Sequence, residues 1–462
     1  MSIIGAIGSI GQYFSMRQVF GAEDVTTPEM QEAIAEWCRL YYDRHGDKQE
    51  DPSQRIPFAV VHKLYKAIFS EYSAVPTRDG SRAAFIGGVL DGLESVRKRA
   101  VQQMLIGGTC LLKPVPGEKW TFTVIPRKNY VPFGVDVYGN VNDVGMMEQT
   151  TADDFLYTLL ERRRTDETGR LVIESRLFRS RDCTMLGEEV PLDTLPRYAG
   201  LVPVNVLPET LGGIGLIPVS CPAENCVDGS QDAVSVYAAA VGLIHNINRN
   251  EALLNREFEN GRSRIIASAD MTEVGEDGTR TLNRDLFTAI DDDPQNVGIT
   301  IFSPELRQES FLNRKKEYLR NVESLIGFKR GILSDVEDAE KTATEITSSA
   351  GEYNLTVQDF QEVWENAVRE TVRVCGILGQ MYGVADSGSI DPENDVAISW
   401  GNGILYDEDK EWTTLMSLVS GGYLKPEIAI AWKYDLPWDT PEELAEIRKK
   451  YMPDTGTETE VE

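Results

Sequence analysis

The residues that could do chemistry are few, and their spacing suits little enzymology. His45, His62 and His245 are the only histidines, and none stands in an HExxH or comparable spacing, so histidine-based nucleophilic or metal catalysis has little material. Each reads as a structural or exposed imidazole, with His245 packed or hydrogen-bonded on a helix. The cysteines Cys38, Cys110, Cys183, Cys221, Cys226 and Cys375 are dispersed without a CxxC pair, which suits a reducing compartment. Cys221 and Cys226 raise a disulfide or metal pair, against the plainer expectation of small buried thiols. Gly212-Gly213-Ile214-Gly215 lacks the Lys-Ser/Thr of a P-loop and runs into Pro218, so a turn is predicted there and no nucleotide cradle. No catalytic residue, metal ligand or cofactor is assigned.

Charge is more informative. Asp335, Glu337, Asp338 and Glu340 crowd one short stretch after Ser334, with Lys341 beside them and Lys329 and Arg330 before them. For an arbitrary protein this is a solvated helix connection. Arg314, Lys315, Lys316 and Arg320 form a basic cluster just upstream. Asp277, Arg280, Asp291, Asp292 and Asp293 lie in a segment further back; the triple aspartate lacks the glycine and glutamate of a calcium loop and reads as a solvated turn. Acids outnumber bases 74 to 46, for a net charge of −28, which argues against sequence-reading nucleic-acid recognition.

These clusters must be positioned by a unit running from Asp228 to Gly383. From about Gln231 to Asn260, Val234, Tyr237, Val241, Ile244, Ile247, Leu254 and Phe258 follow steps of three or four, which predicts one helix capped by Asp228 and stopped by Gly261. At about 1.5 Å per residue such a strut reaches roughly 45 Å. A second strut opens at Ser303-Pro304 and carries Phe311, Leu312, Tyr318, Leu319, Val322 and Leu325. Between them, strands are predicted over Arg264 to Ser268 and Val297 to Ser303, with a helix near Arg284 to Ile290 and a turn at Gly275 to Gly278. Past the acidic stretch, Thr342 and Glu345 form a capping box for a helix reaching about Met381, with a bend favoured at Ser348, Ser349 and Gly351.

Upstream, helices are predicted from Thr27-Pro28 to near Gly46, from Pro57 to Tyr72 and from Phe85 to Met104. The stretches LLKPV, WTFTVI, FLYTLLE and LVIESRLF then read as strands of a mostly antiparallel sheet. DVAISW at 395–400 is expected to return a strand to that sheet, and short helices follow at 409–420, 426–433 and 441–449. The closing DTGTETEVE reads as a disordered acidic tail. The fold class is α+β, and 462 residues suffice for two or more cores. SIIGAIGSIG near the start lacks a basic flank and is too short to span a bilayer, so no export or membrane signal is expected.

In three stretches the chain resembles the portal proteins of tailed double-stranded DNA bacteriophages, siphophage type: LGGIGLIPVSCPAEN before the first strut, EKTATEITSS after the acidic stretch, and ILYDEDKEWTTLMSLVSGGYLKPEIAI near the end. The resemblance implies a wing over 1–227, a stem helix over 228–260, a clip over 261–303, a second stem helix over 304–330 and a tunnel loop over 331–342. A long kinked helix over 343–382, a wing strand with crown helices over 383–453 and a tail over 454–462 complete the series. It implies a non-enzymatic subunit of a dodecameric ring at a unique vertex of the virion, assembled in the bacterial host cytoplasm. Double-stranded DNA would pass through its channel without sequence-specific binding. Partners would be the large terminase subunit, head-completion or adaptor proteins, and the major capsid and scaffolding proteins, with no membrane and no cofactor.

On that footing Lys329, Arg330, Ser334, Asp335, Glu337, Asp338, Glu340 and Lys341 become channel-facing candidates, the carboxylates repelling phosphate around the axis. Arg314, Lys315, Lys316 and Arg320 would touch DNA or, as favoured here, pair with acids on the next subunit. Asp277, Arg280, Asp291, Asp292 and Asp293 would lie on the docking surface of the clip. A different head-tail adaptor or capsid-associated protein is the alternative, and a carboxylate-based hydrolase a more distant one.

Overall fold

The computed structural model describes residues 16–43, 52–77, 80–117, 119–137, 139–182, 185–261, 264–267, 272–274, 280–282, 299–302, 305–334, 343–383, 390–400, 408–434, 436–438 and 440–452. Helix α1, Pro28–Tyr42, starts where Thr27 Oγ1 accepts the Met30 amide at 3.2 Å, with a proline in its first turn. It ends at a left-handed Asp43, short of the expected Gly46. Helix α2, Ile56–Ile68, is likewise shorter than expected, because strand β1, Ser73–Pro76, follows it. Helix α3, Ser81–Gly107, buries Val89, Leu93, Val101, Met104 and Leu105 at helical spacing.

The strands that follow are β2 (Thr109–Val115), β3 (Thr121–Pro126), β4 (Tyr130–Val135), β5 (Val141–Ala152), β6 (Phe155–Thr165), β7 (Leu171–Ser180), β8 (Glu188–Val190), β9 (Val204–Val206) and β10 (Ile217–Ser220). They form two sheets, one in the order β10-β2-β3, the other β4-β5-β6-β7-β8 with β9 beside β7, and every pairing is antiparallel. The α+β class and the antiparallel sheet agree with expectation. Strands β4 and β5 were not foreseen. Alternation puts Leu160 and Phe178 on one face of the larger sheet, against Met16, Phe20, Val131 and Met147, and Leu159 and Leu177 on the other, against Leu192, Leu195 and Tyr198.

A buried charge network ties the two sheets together. Glu161 of β6 accepts from Lys113 of β2 at 3.1 Å and from Arg163 at 2.7 Å, and Lys113 also binds Glu148 of β5. Arg163 reaches on to the Gly215 carbonyl at 3.0 Å, pinning the predicted Gly212 to Gly215 turn. Burial alone would raise the Glu161 carboxyl, but the charges of Arg163 and Lys113 prevail and lower it to about 2.

The first strut is shorter than predicted. Helix α4 covers Val241–Asn260, after a 3-10 turn at Ala238–Ala240, and 20 residues give about 30 Å where roughly 45 Å was expected. Asp228 does not cap it; this carboxylate instead gathers Thr27, Asn225 and the Ser230 amide. The apolar spacing of Val234 and Tyr237 comes from docking into the core beside α1 and α3: Ser235 Oγ donates to the Leu105 carbonyl at 2.9 Å and the Tyr237 hydroxyl to the Trp37 carbonyl at 2.9 Å. Gly108, at φ +84°, permits that approach, since a Cβ there would stand 2.2 Å from the Ala233 carbonyl oxygen.

Beyond α4, strands β11 (Arg264–Ala267) and β14 (Ile299–Phe302) pair, as do β12 (Thr272–Val274) and β13 (Arg280–Leu282), a second hairpin that was not anticipated. The helix predicted near Arg284 to Ile290 and the turn at Gly275 to Gly278 lie outside the described residues. Helix α5, Gln308–Ile326, begins four residues later than the Ser303-Pro304 start predicted for it. Helix α6 runs from Ala343 to Met381 and packs on α2, α3 and β10, with Trp364 edge-on to Phe69 at 5.6 Å.

After the short helix α7, Pro392–Asp395, strand β15 (Val396–Ser399) pairs with β1, not with the larger sheet as expected. Alternation identified the strand; its partner is set by packing remote in sequence. The chain divides into two units, 1–69 with 73–399 and 70–72 with 400–462. The second carries the expected helices α8 (Glu408–Ser420), α9 (Pro426–Lys433) and α10 (Pro441–Tyr451), the last opened by a Thr440/Glu443 capping box. The terminal acidic residues fall outside the described residues.

Candidate functional site

Helices α4 and α5 lie side by side and are braced at three levels. Arg307 forms a two-pronged pair with Glu257 (2.7 and 3.0 Å), and its guanidinium holds that carboxyl below its usual range. Lys315 reaches Glu251 at 2.9 Å and Gln54 at 2.8 Å. The buried Asn250 amide donates to the Phe311 carbonyl at 3.0 Å. Leu253, Phe258, Leu312 and Leu325 nevertheless remain 40 to 51 % exposed on this pair.

The exit from α5 is built around Glu323, which is 0 % exposed. Its main-chain carbonyl accepts the Phe328 amide at 2.8 Å, and the left-handed Gly327 N–H turns back to Ser324, a Schellman stop. Glycine is required at 327, where φ is +75° and a Cβ would meet Thr356 Oγ1 at 2.3 Å. The Glu323 carboxylate then accepts the amides of Gly331 (3.2 Å), Leu333 (2.5 Å) and Ser334 (2.8 Å), and the Ser334 hydroxyl at 2.9 Å. Lys63 of α2 donates to the Ile332 carbonyl between them. Phe328 is buried edge-on to Tyr353 of α6 at 6.1 Å.

Of the expected site residues, Lys329 is half-buried and Arg330 exposed at this turn. Ser334, a channel-facing candidate, is 5 % exposed, and its hydroxyl donates to Glu323. Asp335, Glu337, Asp338, Glu340 and Lys341 lie outside the described residues, as do Asp277, Asp291, Asp292 and Asp293. Arg280 opens β13.

The members of the basic cluster meet different partners. Lys315 is paired within the subunit, Arg314 donates to the Tyr318 hydroxyl at 2.8 Å, and Arg320 pairs with Glu317 at 2.8 Å. His245 is hydrogen-bonded as predicted, its Nε2 lying 2.9 Å from Glu36. Cys221 and Cys226 are both free thiols; Cys221 is buried, but Cys226 is exposed, contrary to the expectation for the pair.

The geometry thus offers braced helices and a fixed turn. The model of the family Phage portal protein, SPP1 Gp6-like, matches residues 157–451, more than half of the chain. The chain belongs to this family of portal proteins. It is therefore a tailed-phage portal protein, a structural and non-enzymatic component of the virion at the capsid vertex, concerned with DNA packaging. The family implies an oligomeric ring associated with capsid and DNA. No curated protein matches the chain. Among the described residues no helix is long and apolar enough to cross a membrane.

Glu323 of this portal protein is not among the residues expected from the sequence. A signal was present: Glu323 interrupts the apolar stripe of Leu319, Val322 and Ile326, four residues before Gly327.

Proposed function

We propose that this portal protein forms a closed dodecameric ring whose axial channel conducts double-stranded DNA into the capsid during packaging and out during ejection. On this reading α4 and α5 are the stem, 261–303 the clip, 331–342 the tunnel loop, α6 a kinked wing and crown helix, and α8 to α10 the crown. The clip, with Asp277, Arg280 and Asp291 to Asp293, docks the large terminase subunit and later the head-completion proteins. Wing and crown meet the major capsid and scaffolding proteins, and assembly takes place in the host cytoplasm.

The observation that carries the ring is the stem pair itself. Two helices braced internally by Arg307, Lys315 and Asn250 leave leucines and a phenylalanine uncovered on their flanks, which suits heterologous packing against the next copy around an axis. Arg314, Lys316 and Arg320 supplement that seam, while Lys315 is committed within the subunit. Negative-stain images of the purified protein should show closed rings with a central opening; monomers or open filaments at all concentrations would refute the ring.

The channel reading makes a second prediction. With a net charge of −28 and acids at 335, 337, 338 and 340, the assembled ring should bind free duplex DNA weakly. Residual binding should arise from Lys329, Arg330 and Lys341 and fall with added salt. Weak binding suits a conduit, because each tightly held step is a barrier to the motor. In a titration at about 0.15 M salt, submicromolar and salt-insensitive binding would contradict the low-friction channel.

A further inference from the structure

Glu323 is a wholly buried carboxylate whose partners are amides and a hydroxyl, and every one of those donors through its side chain belongs to 331–334. Hydrogen bonds to an ionised acceptor are roughly twice as strong as neutral ones. One residue therefore fixes the chain twice: its main chain sets the turn at 327–328, and its side chain secures the segment that leads directly into the acidic stretch at 335–340. Lys63 donates to the Ile332 carbonyl, so residues 331–334 are bonded to both α5 and α2.

We propose that Glu323 is a positioning residue that ties residues 331–334, the lead-in to the acidic stretch, to the second stem helix, and that DNA packaging depends on this tie. The proposal rests on the channel reading given above. A shift of α5 is then delivered directly to Ser334. Both side-chain oxygens must accept, and a carboxamide at the same place turns one of its two ends into a donor facing donors.

The test compares rings of the native protein with Glu323→Gln, which preserves volume. Hydrogen exchange at the amides of Gly331, Leu333 and Ser334 should accelerate about tenfold or more, while amides of β6 and β7 keep their rates. DNA packaged in a reconstituted motor assay should fall in parallel. Ser334→Ala, which retains the carboxylate and its amide donors, should give a smaller change of the same kind and carries the test if Glu323→Gln fails to assemble. Unchanged exchange at 331–334, or acceleration spread equally over the sheet, overturns the proposal.

A loop variant with Asp335→Asn, Glu337→Gln, Asp338→Asn and Glu340→Gln separates the two readings. If that variant impairs packaging while Glu323→Gln loosens 331–334 without effect on packaging, the positioning role is wrong and the channel reading stands. If both package normally, the channel reading fails and the positioning role falls with it.

Discussion

Glu161→Ala is expected to destabilise the subunit by about 3–5 kcal/mol, the usual consequence of removing one partner from a buried ion pair. The substitution leaves Lys113 and Arg163 facing each other in the interior with only Glu148 to share, and it unpins the link from β6 to β2 and to the Gly215 carbonyl. Urea unfolding at fixed protein concentration measures the loss, and a change below 1 kcal/mol would mean that the network contributes little. The same group gives a pH dependence. Its folded pKa, about 2, lies below its ordinary value of 4.5, so its contribution is complete above 4.5 and is lost as the pH falls towards 2. The stability difference between the native protein and Glu161→Gln should thus be level from pH 5 to 8 and shrink below about 4.5.

Phe258→Asp and Leu325→Asp, singly, are expected to abolish ring closure at concentrations where the native protein forms rings. Burying such side chains contributes roughly 1.5–3 kcal/mol each, and in a closed ring that loss recurs at every seam, where an uncompensated carboxylate adds to it. Both side chains are exposed in the isolated subunit, 42 % and 51 %, so its thermal midpoint should move little. Charge reversal at Arg314, Lys316 and Arg320 should act in the same direction more weakly, since an exposed pair contributes only about 0.2–1 kcal/mol. Native mass spectrometry that finds intact rings with unchanged concentration dependence for the aspartate variants would exclude these helix flanks from the interface.

Local patterns were legible where a single element determines its own burial. The cap at Thr27, the apolar spacing in Ser81–Gly107 and the alternation in β6 and β7 each encode their element within a few residues. Misreadings arose where distant chain imposed the conformation. Val234 and Tyr237 have helical spacing, yet Leu105 and Trp37, more than a hundred residues upstream, hold that segment as an irregular lead-in that turns at 236–237. Residues 396–399 alternate as a strand, but nothing local names β1 as the partner. At the candidate site the acidic and basic clusters were visible as composition. The partition of Lys315 inward, and the capture of Ser334 by Glu323, depend on contacts between elements that spacing does not report.

The clasp between β1 and β15 also bears on the order of events during synthesis. It joins Ser73–Pro76 to Val396–Ser399, closing about 320 residues of intervening chain. Long closures are slow, because chain entropy is lost before the contact rewards it. A ribosome adding about 5–20 residues per second takes on the order of a quarter to one minute to deliver the second strand after the first. Until then the early strand lacks its native neighbour, and a nascent subunit cannot present its finished surface. Copies thus become competent to join one another only after residue 399 has been made, which separates the start of folding from assembly in time.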